Sequence, residues 1–166
     1  IEGGTGSATV NFNGGILKAR ESQAAFITNL DVANVQAGGI IIDSNGQDLT
    51  VAQALSDGGG GGLTKLGTGT LTLADASTYT GATSITAGTL SVTGTISASA
   101  ATATTAGTLS GSGTVGSLAV NVGGTVSPGV GVGTLTTTQG VTWASGGSLN
   151  WQIADAAGGA GTGWDL

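Results

Sequence analysis

The word Gly-Thr-Leu returns at a fixed distance: Gly69, Gly88 and Gly107 each open it, 19 residues apart. The words are GTLTL (Gly69 to Leu73), GTLSV (Gly88 to Val92) and GTLSG (Gly107 to Gly111). A unit of about 20 residues cannot bury an apolar face by itself, but stacked units can. Within each word Leu or Val alternates with Thr or Ser, the period of a strand with one face inside and one outside. Glycine stands where the chain must bend or approach a neighbour closely. Related words follow at Gly113 to Val115, Gly124 to Gly129, Gly133 to Leu135 and Gly147 to Trp151. Their spacing is irregular, so coil length is expected to vary after residue 107.

Two architectures fit many short strands with glycine breaks: a β-solenoid with one repeat per coil, and an antiparallel sandwich. A sandwich brings more proline, more aromatic residues and two-residue hairpin turns. Here there is one proline, and the one good type I′ signal is Asn45-Gly46. Constant spacing of identical words favours an all-β, elongated solenoid. Helix signals are nearly absent; Asp48 to Leu55 reads as a strand with a helical turn near Ala52 to Leu55. Tyr79, Trp143, Trp151 and Trp164 read as aromatics of the stack or its edges, and the threonines as exposed ladders. Within Gly62 to Leu73, Leu66, Leu71 and Leu73 are the expected inward contacts, with Thr68, Thr70 and Thr72 facing away.

Residues 62–92 read GLTKLGTGTLTLADASTYTGATSITAGTLSV. This stretch resembles the passenger-associated β-strand repeat of bacterial autotransporters, with its G-L-T-K-x-G-x-G-T-L-x-L, N-x-Y-x-G and T-x-I/V-x-x-G-x-L words. Thr78 stands beside Tyr79 where that family often has Asn-Thr. The flanks Asn11 to Ala19, Asn34 to Gln53, Gly124 to Thr137 and Ser148 to Leu166 resemble the coils around such a repeat. The resemblance implies a right-handed parallel β-helix on the outside of a bacterium, extracellular or anchored at the outer membrane. Passengers of this kind include adhesins, enzymes and plain stalks, so the shape implies no single activity. The chain then reads as one solenoid segment over 1–166 of a larger secreted protein: leading coils over 1–61, the repeat over 62–92 and further coils over 93–166.

Composition narrows the chemistry. The net charge is −6, and Lys18, Arg20 and Lys65 form no basic patch, which argues against nucleic acid. No apolar run reaches the ~20 residues of a membrane-spanning helix, so no membrane contact is expected of this segment. Without histidine or cysteine, Ser-His, Cys-His and His-metal arrangements cannot be built. A lysine-activated serine needs a buried lysine; Lys65 reads as part of the strand repeat with no serine motif beside it. The nine acids are scattered, with no pair placed for glycoside cleavage. No enzyme activity and no cofactor are expected.

Four features remain to be weighed. Asp43, Asn45 and Asp48 offer three oxygen ligands in six residues, a weak calcium candidate against a plain β-turn at Asn45-Gly46. Asp155 and Asp165 have no better claim. Thr68, Thr70 and Thr72 alternate, as do Thr134, Thr136 and Thr138. An ice-matching array needs such pairs in register on successive coils, and these pairs read as falling at unrelated places in the repeat. Lys18 to Glu21 reads as a solvated loop between coils. Trp143, Trp151 and Trp164 would form a sugar platform only if they lined one face. The expected role is a non-catalytic stalk of a secreted or surface adhesin-like protein, stacked on the rest of its own polypeptide. The alternatives are a subunit of an extracellular filament or surface layer, with identical copies end to end, and a module binding host or surface glycans.

Overall fold

A computed structural model of the chain describes residues 1–4 and 6–153. Among these residues there are strands, bends and turns but no helix. Each turn of the chain visits three faces in the same order. The first turn is β1 (Thr9–Phe12), β2 (Ile16–Lys18) and β3 (Gln23–Thr28); the second is β4 (Val32–Val35), β5 (Ile40–Asp43) and β6 (Leu49–Ala52). The third is β7 (Ser56–Asp57), β8 (Leu63–Leu66) and β9 (Thr70–Leu73). The long strand β10 (Thr83–Val92) then covers two faces at once, as does β12 (Ala101–Gly111) after β11 (Thr95–Ile96). The chain continues as β13 (Thr114–Val115), β14 (Leu118–Val120), β15 (Thr125–Pro128), β16 (Thr136–Thr137), β17 (Val141–Trp143) and β18 (Ser148–Leu149).

Every strand pairs in parallel with its counterpart one turn away, giving a β-solenoid of about six turns. Stacked strands lie about 4.8 Å apart, so six turns span roughly 30 Å along the axis. Gly88 pairs with Gly107, and Thr70 with Thr89, so the 19-residue spacing of the sequence is one full turn. Ile40 pairs with Leu63, Leu63 with Thr83, Thr83 with Ala101 and Ala101 with Leu118, so turn length does vary, first shortening along the chain.

Alternation puts one side chain in two into the interior. On the first face, Ile40, Ile42, Leu63, Ile85, Leu118 and Val120 stack inward; on the second, Leu49, Leu71, Leu90, Leu109 and Val126. The third contributes Val35, Ile96 and Val115. The result is one continuous core from Phe12 to Val126. Each fully buried aliphatic contributes about 1.5–3 kcal/mol, which offsets the entropy of ordering a glycine-rich chain.

The corner between the first and second faces is built differently on each turn. After β5 it is a type I′ turn: Asn45 and Gly46 have φ of 52° and 83°, and Gln47 N donates to Ser44 O at 2.9 Å. In β10 the strand runs straight through the corner, its register slipping between Ile85 and Ala87. Gly88 sits there at φ 66°, where a Cβ would lie 2.6 Å from both Gly67 O and Gly69 O. Only glycine fits both that backbone and that gap. The segment from Ala52 to Leu55 contains a bend and no helical turn, contrary to the sequence reading. Its Leu55 is pinned into the core by Ser77 Oγ, which accepts a hydrogen bond from Leu55 N at 3.0 Å.

Candidate functional sites: a buried lysine corner and a hydroxyl-lined face

Lys65 corrects the sequence reading most sharply. It pairs with Ile42 on an inward position of β8, and none of its surface is exposed. Its Nζ donates to Gly67 O at 2.7 Å, Ser44 Oγ at 2.8 Å, Leu66 O at 2.9 Å and Ala87 O at 3.1 Å. Oxygens from three successive turns therefore converge on one ammonium at the corner between the first and second faces. Burial pushes the lysine pKa down from 10.5 to about 8, while the Asp43 carboxylate pulls the other way. Leu66, expected inside, is only half-buried, because Lys65 takes the inward position of the strand.

A buried lysine beside a serine is also the geometry of a lysine-activated nucleophile. Here Ser44 is fully buried, and its hydroxyl donates to Thr68 O at 2.6 Å. Neither side chain has surface that a substrate could reach. The pair ties turns together.

A second buried polar chain lies where the third face meets the first. Tyr79 is fully buried and its hydroxyl meets Thr83 Oγ1 at 2.6 Å; Thr83 Oγ1 meets Ser99 Oγ at 2.8 Å; Ser99 Oγ donates to Gly81 O at 2.7 Å. Burial holds the phenol pKa up at about 12, opposed by its hydrogen bonds to Thr83 and Ser99. Tyr79 is thus the aromatic of the stack that the sequence suggested. Trp143 and Trp151 are 46 % and 54 % exposed, and Trp143 Nε1 donates to Gly147 O at 3.1 Å. Val141 and Trp143 pair with Leu118 and Val120, so both occupy inward positions at the last described turn rather than lining a flank. Trp164, Asp155 and Asp165 lie outside the described residues.

The calcium candidates are already engaged by protein donors. Asp43 Oδ2 lies 3.0 Å from Lys18 Nζ, and Asp43 Oδ1 accepts from Asn45 N at 2.9 Å. Lys18, first, and then the Asn45 N–H hold the Asp43 carboxyl below its usual range, against the effect of burial. Asp48 Oδ1 accepts from Thr70 N at 2.8 Å, one turn up the second face, and Asn45 Nδ2 donates to Ala19 O at 3.1 Å. Among the described residues no group of three or more His, Cys, Asp or Glu could hold a metal ion. The Lys18 to Glu21 cluster is a corner between β2 and β3, with Ala19 buried and Arg20 and Glu21 exposed.

The outward positions of the second face form a feature the sequence reading dismissed. Thr70, Thr89, Thr108 and Thr125 pair in one column, continued by Ser148. Two residues along, Thr50, Thr72, Ser91, Ser110 and Ser127 form another. The Thr134 to Thr138 alternation does fall elsewhere, on the third face, where Thr136 pairs with Thr114. The in-register partners of Thr70 and Thr72 are Thr89-x-Ser91 and Thr108-x-Ser110, where serine replaces threonine in the second column and hid the pattern. A groove of about 570 Å³ runs over these hydroxyls, with Val130 and Gly131 at its side and Asn150 and Gln152 at its end. A second hollow of about 530 Å³ shares Thr70 and Thr72 and continues past Thr50 to Gln23.

These features define a parallel β-solenoid whose buried polar groups serve the stack and which carries a groove along one flank. The family model described as Passenger-associated-transport-repeat matches residues 63–92, so this stretch of the stack is similar to that repeat. The match spans β8, which holds Lys65, β9, the connection that holds Tyr79, and β10, which holds Gly88. No curated protein and no solved structure matches the chain.

Proposed function

We propose that the chain is a non-catalytic stalk segment of a secreted or surface-displayed autotransporter-like bacterial protein, holding adhesive parts away from the cell. The observation that carries this reading is the unbroken core from Phe12 to Val126, in which the matched repeat is one stretch of a continuous stack. Its polar groups best placed for chemistry, Lys65 and Ser44, are spent on joining turns. A stack of this kind lengthens by adding turns without changing its cross-section. Duplicating residues 70–88, one turn of the stack, tests this by small-angle scattering. The expected result is a longest dimension greater by about 5 Å at constant cross-section. A thicker particle, or one that unfolds, contradicts the reading.

Self-association is a second reading, favoured by one observation. Val141, Trp143 and Leu149 pair with the buried Leu118, Val120 and Val126, yet about half of each is exposed. Inward apolar positions half-exposed at the last described turn suit a further turn stacked on them, which another copy could supply. Concentration-dependent fibres in electron micrographs support it; a monodisperse particle at all concentrations in sedimentation contradicts it.

A further inference from the structure

We propose that the groove along the second face binds a linear, uncharged polysaccharide chain laid along the solenoid axis. No charged side chain lines this groove, and in the hollow that continues it the one charged side chain, Asp48, accepts from Thr70 N, so the ligand carries no obligatory charge. Its floor is a two-column array of hydroxyls repeated turn by turn. Strand spacing sets the repeat at about 4.8 Å along the axis and about 6.7 Å across it. A ligand with its own repeat along one direction uses such a floor at several turns together, so the fit is to a polymer rather than to a single sugar.

The hydroxyls are available. Among the described residues, those of Thr70, Thr89, Ser91, Thr108 and Ser110 make no hydrogen bond to the protein. Thr86 and Thr104 on the corner, by contrast, donate to Lys65 O at 2.8 Å and Ile85 O at 3.0 Å. Ser91 is the telling residue: it is 5 % exposed, lines the groove, and has no hydrogen-bond partner. No buried side-chain oxygen among the described residues lacks a partner, so the Ser91 hydroxyl opens onto the solvent of the groove, where a ligand can meet it. Each hydroxyl both donates and accepts, as sugar hydroxyls do. Threonine methyls and Val130, which is 81 % exposed, supply apolar surface for the C–H faces of pyranose rings.

The test is affinity electrophoresis of the 166-residue chain in gels containing dextran, a soluble β-glucan or galactomannan, with polygalacturonate as the acidic counterpart. At least one neutral polymer is expected to retard the chain, and polygalacturonate to leave it unretarded. The variant Thr89→Val/Ser91→Ala/Thr108→Val/Ser110→Ala keeps volume and fold, checked by circular dichroism, and is expected to weaken retardation at least tenfold. The variant Ser84→Ala/Thr102→Val, on the first face, is expected to bind as the parent does. Three results overturn the proposal: no retardation by any neutral polymer, retardation that survives the four-fold variant, or preferential retardation by polygalacturonate. Ice shaping by the parent chain in a nanolitre osmometer, lost in the four-fold variant, assigns the face to a water lattice and overturns it equally.

Discussion

Replacing Lys65 by methionine keeps the side chain's length and removes its charge. The ammonium makes three close hydrogen bonds and one longer one. A hydrogen bond from a charged donor contributes about 1.5–3 kcal/mol, and the acceptors left behind are buried at Ser44 and partly buried at Leu66, Gly67 and Ala87. Against this stands the cost of keeping an ammonium from water. A pKa held at about 8 instead of 10.5 corresponds to about 3 kcal/mol. Methionine offers no donor to these oxygens in either protonation state of the lysine, and Lys65→Met is expected to lose roughly 2–5 kcal/mol in urea unfolding at pH 7. The pH profile separates this from ordinary core damage. The folded pKa lies below the unfolded one, so the penalty is complete below pH 8 and is relieved as pH rises towards 10.5. The parent chain therefore gains stability from about pH 8 to 10, and the methionine variant shows no such rise. A variant as stable as its parent, or one that keeps the rise, refutes the account of the corner.

Tyr79→Phe removes the head of the hydroxyl chain and is expected to cost about 1 kcal/mol. It also abolishes a loss of stability from pH 10 towards 12, where the unfolded phenol ionises and the buried one, held at about 12, does not; stability curves at pH 9 to 11.5 read this directly. Gly88→Ala places a Cβ against two carbonyls at φ 66° and is expected to destabilise by more than about 2 kcal/mol. Gly15→Ala, with nothing within 4 Å, is expected to stay within about 0.5 kcal/mol in the same assay.

Much of the fold was legible because stacked strands repeat their words. The spacing of Gly69, Gly88 and Gly107 is one turn, and Asn45-Gly46 forms the type I′ turn its residues specify. The buried lysine was not legible. Lys65 follows the inward period of Leu63, but a charged residue reads as outward unless the oxygens that will surround it are known. Two of the four come from Ser44 and Ala87, more than 20 residues away on either side. A signal did exist: the alternation Leu63, Lys65 runs in phase with Ile40, Ile42 and breaks only in polarity. The hydroxyl columns failed for another reason. A search for identical Thr-x-Thr pairs passes over Thr89-x-Ser91 and Thr108-x-Ser110, although serine and threonine present the same group to the same side. Turns of unequal length then put the remaining pairs out of phase in sequence while parallel pairing keeps them aligned in space.

The parallel, in-register stack is tested most directly by a ladder of spin labels along the threonine column. The chain has no cysteine, so single pairs can be introduced cleanly: Thr70→Cys with Thr89→Cys, with Thr108→Cys and with Thr125→Cys. Successive turns at about 4.8 Å place these Cα pairs about 5, 10 and 14 Å apart. Dipolar broadening in continuous-wave electron paramagnetic resonance is expected to be strongest for the first pair, weaker for the second and weakest for the third. Broadening for 70/125 that equals or exceeds that for 70/89 contradicts the solenoid, and with it the corner and the groove built on its register.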